Sequence, residues 1–152
     1  MLRIVILLVM YLVSQIIEAQ TTNSSNEEFD RGVNEYVTIN VTVPKVSGNE
    51  GVVLFALYNS NEKFMKRETM ATKEGEIKNG AVTVSFHKVA SGTYAIVCLH
   101  DKNGNKRMDF NENGMPVEDY GISNNVMLMG PPNFEEAKFA VGNKSLDLTI
   151  NF

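Results

Sequence analysis

Val37, Ile39, Val41 and Val43 alternate with Thr38, Asn40 and Thr42. The same period of two returns at Val82, Val84 and Phe86, and again at Leu146, Leu148, Ile150 and Phe152. Successive side chains of a strand point to opposite faces, so this pattern specifies half-buried strands rather than amphipathic helices. Segments 52–58 and 94–99 are apolar almost throughout, as expected of strands covered on both sides. Phe139 and Val141 mark a further short strand, and Pro44, Ser47-Gly48-Asn49 and Ser91-Gly92 supply turns. Segment 62–71 is open to a short helix or an irregular crossover. About six or seven short strands with almost no helix predict an all-β chain folded as an antiparallel sandwich. The clean alternation of the last strand predicts a wet outer face and a packed inner one.

The N-terminus reads differently. Met-Leu-Arg leads into an apolar run over residues 4–13, with Ile16 and Ile17 beyond it and Glu18-Ala19 following. One positive charge, a short apolar run and a small residue at its end describe a secretory signal peptide over 1–19. The run is too short for a membrane span of about 20 apolar residues, and an uncleaved N-terminal anchor is the alternative to a cleaved signal. No membrane span is therefore expected after cleavage, and the protein is expected to be exported, to the periplasm or beyond the cell. Residues 20–35 are polar and lack periodicity, so they read as a flexible leader ahead of one domain over 36–152. The 14 Lys and Arg against 18 Asp and Glu leave a formal charge of −4, the wrong sign for a nucleic-acid partner. Cys98 is the only cysteine, which excludes an intrachain disulfide, and its apolar setting predicts a buried side chain. Sequons stand at Asn23, Asn40 and Asn143.

The region from Asp101 to about Pro132 breaks the strand pattern. Loops beyond about 15 residues are commonly functional or disordered, and the apolar content of this one predicts order. Its first part is rich in oxygen donors. Asp101, Asn103, Asn105, Asp109 and Glu112 fall at positions 1, 3, 5, 9 and 12, the side-chain ligand positions of a calcium loop. Two features depart from an EF-hand: Lys106 stands where the sharp turn calls for Gly, and the chain enters from a strand. Lys102, Lys106 and Arg107 also balance the acids, so any Ca²⁺ site is expected to be weak. The alternative is an Asx-rich loop whose side chains cap their own backbone. Zinc is not expected, because no His/Cys set has ligand spacing.

Catalysis has little support. The chain lacks a Gly-x-Ser-x-Gly turn and a Gly-rich phosphate loop. A hydrolase using His100, Asp101 and Glu118 is the alternative to a binding module, and an ion-free structural interaction domain is a third reading. His100 is expected to be a satisfied structural histidine, and Glu118 and Asp119 to be solvated acids. Met108, Met115, Met127 and Met129 are expected to fill gaps in the core.

Four stretches in order carry a resemblance: Ser-Gly-Thr-Tyr-Ala-Ile at 91–96, His-Asp-Lys-Asn-Gly-Asn at 100–105, Gly-Met-Pro-Val-Glu-Asp-Tyr-Gly-Ile-Ser-Asn-Asn at 114–125 and Gly-Pro-Pro-Asn-Phe-Glu-Glu-Ala-Lys-Phe at 130–139. Together they resemble the DUF2141 family of uncharacterised exported bacterial proteins. The resemblance implies an immunoglobulin- or prealbumin-like β-sandwich and no established activity. It also implies site positions at His100, Asp101, Asn103, Asn105, Asp109, Gly114, Pro116, Glu118, Tyr120, Gly121, Ser123, Asn124, Gly130, Pro131, Pro132 and Phe134. Lys106-Arg107-Met108 departs from the family pattern. The expected role is a non-catalytic module of the cell envelope, binding a glycan or another protein, with its functional site on residues 100–134.

Overall fold

The apolar side chains of the period-two strands meet across one interface in a computed structural model that describes residues 36–127 and 130–152. Strand β1 (Tyr36–Val43) pairs antiparallel with β4 (Val82–Ala90), so that Ile39 stands opposite Phe86, Val41 opposite Val84 and Val43 opposite Val82. All six side chains are buried. The register shifts between Val37 and Ile39, where Lys88 adopts a left-handed φ of 57°. Two residues of β4 there oppose one of β1, which is a β-bulge.

Strand β8 (Leu146–Thr149) completes this three-stranded sheet in the order β4-β1-β8. It runs parallel to β1, with Ile39 opposite Leu146 and Val41 opposite Leu148. Among the described residues this pair departs from the antiparallel expectation. A parallel pair needs a long crossover, and here nearly the whole domain separates the two strands.

The second sheet has the order β3-β2-β5-β6, built from β2 (Val52–Tyr58), β3 (Ala71–Glu76), β5 (Gly92–Asp101) and β6 (Tyr120–Ile122). A short β7 (Phe139–Val141) pairs with the start of β5. The two sheets enclose Ile39, Val41, Phe55, Leu57, Val89, Ile96 and Ile150, and the β-sandwich expected from the alternation is the fold.

The continuous apolar runs of β2 and β5 have a cause. Their inner face meets the first sheet. Their outer face carries a second cluster of Tyr58, Phe64, Ala95, Ile122, Phe134 and Ala137. Helix α1 (Phe134–Ala137) contributes Phe134, and the turn that follows β2 contributes Phe64. The rings of Tyr58, Phe64 and Phe134 pack edge to face at 5.2 and 5.8 Å. That turn takes the irregular course left open for 62–71. Met65 adopts a φ of 60°, which a continuing helix does not accommodate.

The proposed signal segment 1–19, the leader 20–35 with its sequon at Asn23, and Met129 lie outside the described residues. Among the described residues no helix is long and apolar enough to cross a membrane. Cys98 is buried and free, and burial pushes its thiol pKa far up.

Candidate functional site

The last residue of β5 organises the loop that follows. Asp101 is fully buried, and its carboxylate accepts three backbone N–H groups: Gly104 at 2.8 Å, Asn105 at 3.2 Å and Lys106 at 2.9 Å. Asn103 Oδ1 accepts from Asn105 N–H at 3.0 Å, and Asn105 Oδ1 accepts from Arg107 N–H at 2.9 Å. These are Asx turns in succession. Gly104 and Lys106 take φ values of 77° and 61°. The sharp turn at the sixth position therefore forms although Lys replaces Gly there.

Glu118 ties this loop to the return segment. Its Oε1 accepts from Lys102 N–H at 3.0 Å and its Oε2 from Asp109 N–H at 3.2 Å. It is buried, not solvated as expected from the sequence. Next to it, Asp119 O accepts His100 N–H at 2.9 Å. The connection from the end of β5 to the segment leading into β6 is thus made by a carboxylate and a backbone bond. Gly51 packs so close to Asp101 O that a Cβ there would collide with it, and its φ of 71° also favours glycine.

The oxygen positions divide. Asp109 accepts the Asn105 side-chain amide at 2.9 Å and the Asn103 amide at 2.5 Å, so Asp101, Asn103, Asn105 and Asp109 form one cluster. Glu112 is exposed and forms no hydrogen bond among the described residues. No three His, Cys, Asp or Glu side chains among the described residues group in a way that could hold a metal. The balancing cations mostly turn away. Lys102 Nζ lies 3.3 Å from Asp119, Lys106 Nζ lies 3.4 Å from Glu74, and only Arg107 approaches a cluster acid, 3.9 Å from Asp109.

His100 is half satisfied. Its ring is fully buried and stacks parallel to Phe152 with centroids 6.4 Å apart. Nε2–H donates to Glu50 O at 2.8 Å. Nδ1 has no hydrogen-bond partner and lies 3.8 Å from Asp119 Oδ2. The hydrogen bond from Ser47 holds the Asp119 carboxyl below the usual range, against partial burial, and Lys102 helps. The carboxylate that faces His100 is thus Asp119, whereas Asp101 and Glu118 spend their oxygens on backbone N–H groups.

The remaining family positions are mostly staples. Ser123 bonds Ile96 N–H and Ala137 O, and the Asn124 amide donates to Glu136 O and Lys138 O at 2.9 Å each. The neighbouring Asn125 donates to Thr149 O at 2.8 Å and accepts Asn151 N–H at 2.7 Å, clamping the last strand beside β6. Gly121 meets Asn151 O where a Cβ would collide. Phe134 is core, Gly114 makes a turn at φ 74°, and Pro116 bridges to Phe110. Tyr120 is half-buried in β6, while Gly130, Pro131 and Pro132 sit near the surface ahead of α1. Two of the methionines expected in the core are on the surface, Met115 at 62% and Met127 at 86% exposed, and Met108 is half-buried. Phe110 and Val117, 61% and 53% exposed, share the strip from 109 to 117 with Met115.

A family model described as an uncharacterized protein conserved in bacteria (DUF2141) matches residues 41–149. No match to a curated protein was found. Two solved structures of a pilus-presented adhesin, Spy0125 (Cpa), are similar at a low level. A cysteine-to-alanine mutant is 11% identical with a TM-score of 0.28, covering 80% of this chain and 28% of the adhesin. A second crystal form is 14% identical with a TM-score of 0.22, covering 76% of this chain and 27% of the adhesin. This chain thus spans less than a third of either adhesin chain, and likeness at that level carries no argument.

Proposed function

The chain belongs to the DUF2141 family, and on that premise we propose that it is a non-catalytic, exported β-sandwich module of the cell envelope, whose contact surface is the ordered region 100–134. The observation that carries this reading is the use of the two buried carboxylates. Asp101 and Glu118 together hold five backbone N–H groups. A general base needs a free oxygen within hydrogen-bond reach of substrate, and these acids instead fix a loop in one shape. That loop presents Phe110, Met115 and Val117 to solvent, which favours a protein partner over a glycan. Export rests on the N-terminal apolar run of residues 4–13. The test is substitution. Asp101→Ala and Glu118→Gln should lower the melting temperature in proportion to the bonds lost, and unchanged melting of both would contradict the reading.

A second reading, a weak Ca²⁺ site, is favoured by two observations. The turn at Lys106 has the sharp form that a calcium loop requires at its sixth position, and Lys102 and Lys106 point at other acids. Asp101, Asn103, Asn105 and Asp109 would hold the ion, with water completing the six to eight oxygens Ca²⁺ takes. Glu112 stands apart from them, so the fit is partial. The amides of Asn103 and Asn105 would have to turn from Asp109 to offer oxygen. Binding to the folded state alone would raise the melting temperature by mass action. Identical melts in millimolar Ca²⁺ and in EGTA would remove this reading and leave the first intact.

A further inference from the structure

The chain contains three Asn-Gly steps, at Asn79-Gly80, Asn103-Gly104 and Asn113-Gly114. In such a step the glycine N–H is the least hindered backbone nucleophile available to an asparagine side chain. The nitrogen attacks Cγ, the N–H proton passes to the departing amide, and ammonia leaves. Water then opens the resulting succinimide to aspartate or isoaspartate. Both the glycine N–H and the side-chain amide must be free to move, and the fold treats the three steps differently.

At Asn103 every atom of the reaction is held. Gly104 N–H donates to the Asp101 carboxylate at 2.8 Å, Asn103 Oδ1 accepts Asn105 N–H, and Asn103 Nδ2 donates to Asp109. At Asn113 the side chain makes no hydrogen bond among the described residues, but Gly114 N–H donates to Asn111 O at 2.9 Å. At Asn79 neither the side chain nor Gly80 N–H has a partner among the described residues. This step is the tip of the tight turn in the connection from β3 to β4, where Lys78 and Ala81 form an isolated bridge and both tip residues have positive φ.

We infer that Asn79 is the site of spontaneous deamidation in the folded protein, and that the Asp101 carboxylate shields Asn103 from the same reaction. Hydrogen bonds to charged groups are the stronger class, so the order is Asn79, then Asn113, then Asn103. The Gly104–Asp101 bond alone slows the third step about tenfold or more. Isoaspartate at 79 would add a backbone carbon to a two-residue turn, beside Gly80 O, which accepts Val46 N–H at 2.8 Å. A carboxylate at 103 would instead place a third acid in the Asp101–Asp109 cluster, so the shield preserves the charge of the loop.

The test is timed incubation of the full chain at mildly alkaline pH, followed by peptide mapping for the amide-to-acid mass change at each position. The same incubation in urea gives the unfolded rates. Asn79 should convert fastest in the folded protein and Asn103 at least about tenfold more slowly, with the gap closing in urea. Asp101→Asn should accelerate conversion at Asn103 and leave Asn79 unchanged. Equal rates at Asn79 and Asn103 in the folded wild type would overturn the inference without recourse to any variant. Conversion at Asn103 that is as slow in urea as in the folded chain would overturn the shielding.

Discussion

The inner faces of the two sheets and the loop from Asp101 to Asp119 are ordered by different means. Between the sheets, order comes from side chains that leave water, such as Ile39, Phe55 and Ile150. That force is non-directional and scales with apolar area. It tolerates exchanges of one apolar residue for another of similar volume. In the loop, directional bonds from Asp101 and Glu118 to backbone N–H groups set the chain path. Such bonds depend on donor and acceptor position, and leaving a buried donor unpaired costs more than the bond contributes. The sandwich is therefore a robust support, and the loop is a shape fixed by a few atoms.

Substitutions should separate the two regions. The largest effect is expected in the core, where Phe55→Ala removes a fully buried ring and should cost about 3–5 kcal/mol in a denaturant melt, with the whole domain unfolding together. Asp101→Ala should cost about 2–3 kcal/mol, because three N–H groups lose a charged acceptor. Its signature is local, a faster proteolytic cut within 102–109 while the sandwich stays folded. Glu118→Gln retains one acceptor oxygen and should cost about 1–2 kcal/mol. The smallest effect is electrostatic. Asp119 has its pKa lowered mainly by Ser47, with Lys102 assisting. A carboxyl with a depressed folded pKa stabilises the protein above its unfolded value, near 3.9, and loses that contribution as pH falls through the folded value. Because its side chain is 40% exposed, screening keeps the contribution small. A Ser47→Ala variant should show a shallower loss of stability below about pH 4. A core variant that frees only the loop, or a loop variant that unfolds the whole domain, would break the division between the regions.

The sandwich was legible because its strands alternate, and the same logic explains what was missed. The edge strand β3 reads Ala-Thr-Lys-Glu-Gly-Glu and buries only Gly75, so no apolar period marks it. Charged residues on an edge discourage pairing with other chains, and that protection also hides the strand. Strand β6 has three residues, too few for a period. Helix α1 has four, yet its start carried a signal. Asn133 Oδ1 accepts Glu136 N–H at 3.0 Å, the N-cap bond expected of Asn, and its side-chain amide donates to the Glu136 carboxylate at 2.6 Å. In the loop, Asp101, Asn103, Asn105 and Asp109, singled out by their spacing, lie together, whereas Glu112 of the same set stands apart. The spacing could not reveal that Glu118, rather than Glu112, closes the loop, because that pairing depends on the return of the chain through Pro116. The charge balance was similarly opaque, since the partners Glu74 and Asp119 lie on other segments.

Amide hydrogen exchange tests the central claim most directly. With EGTA present, the N–H groups of Lys102, Gly104, Asn105, Lys106 and Asp109 should exchange slowly, as a loop fixed by Asp101 and Glu118 requires. Added Ca²⁺ should change their protection far less than Asp101→Ala does. Rapid exchange at these five positions in EGTA, with protection appearing only when Ca²⁺ is added, would show that an ion and not the two carboxylates sets the shape of the loop.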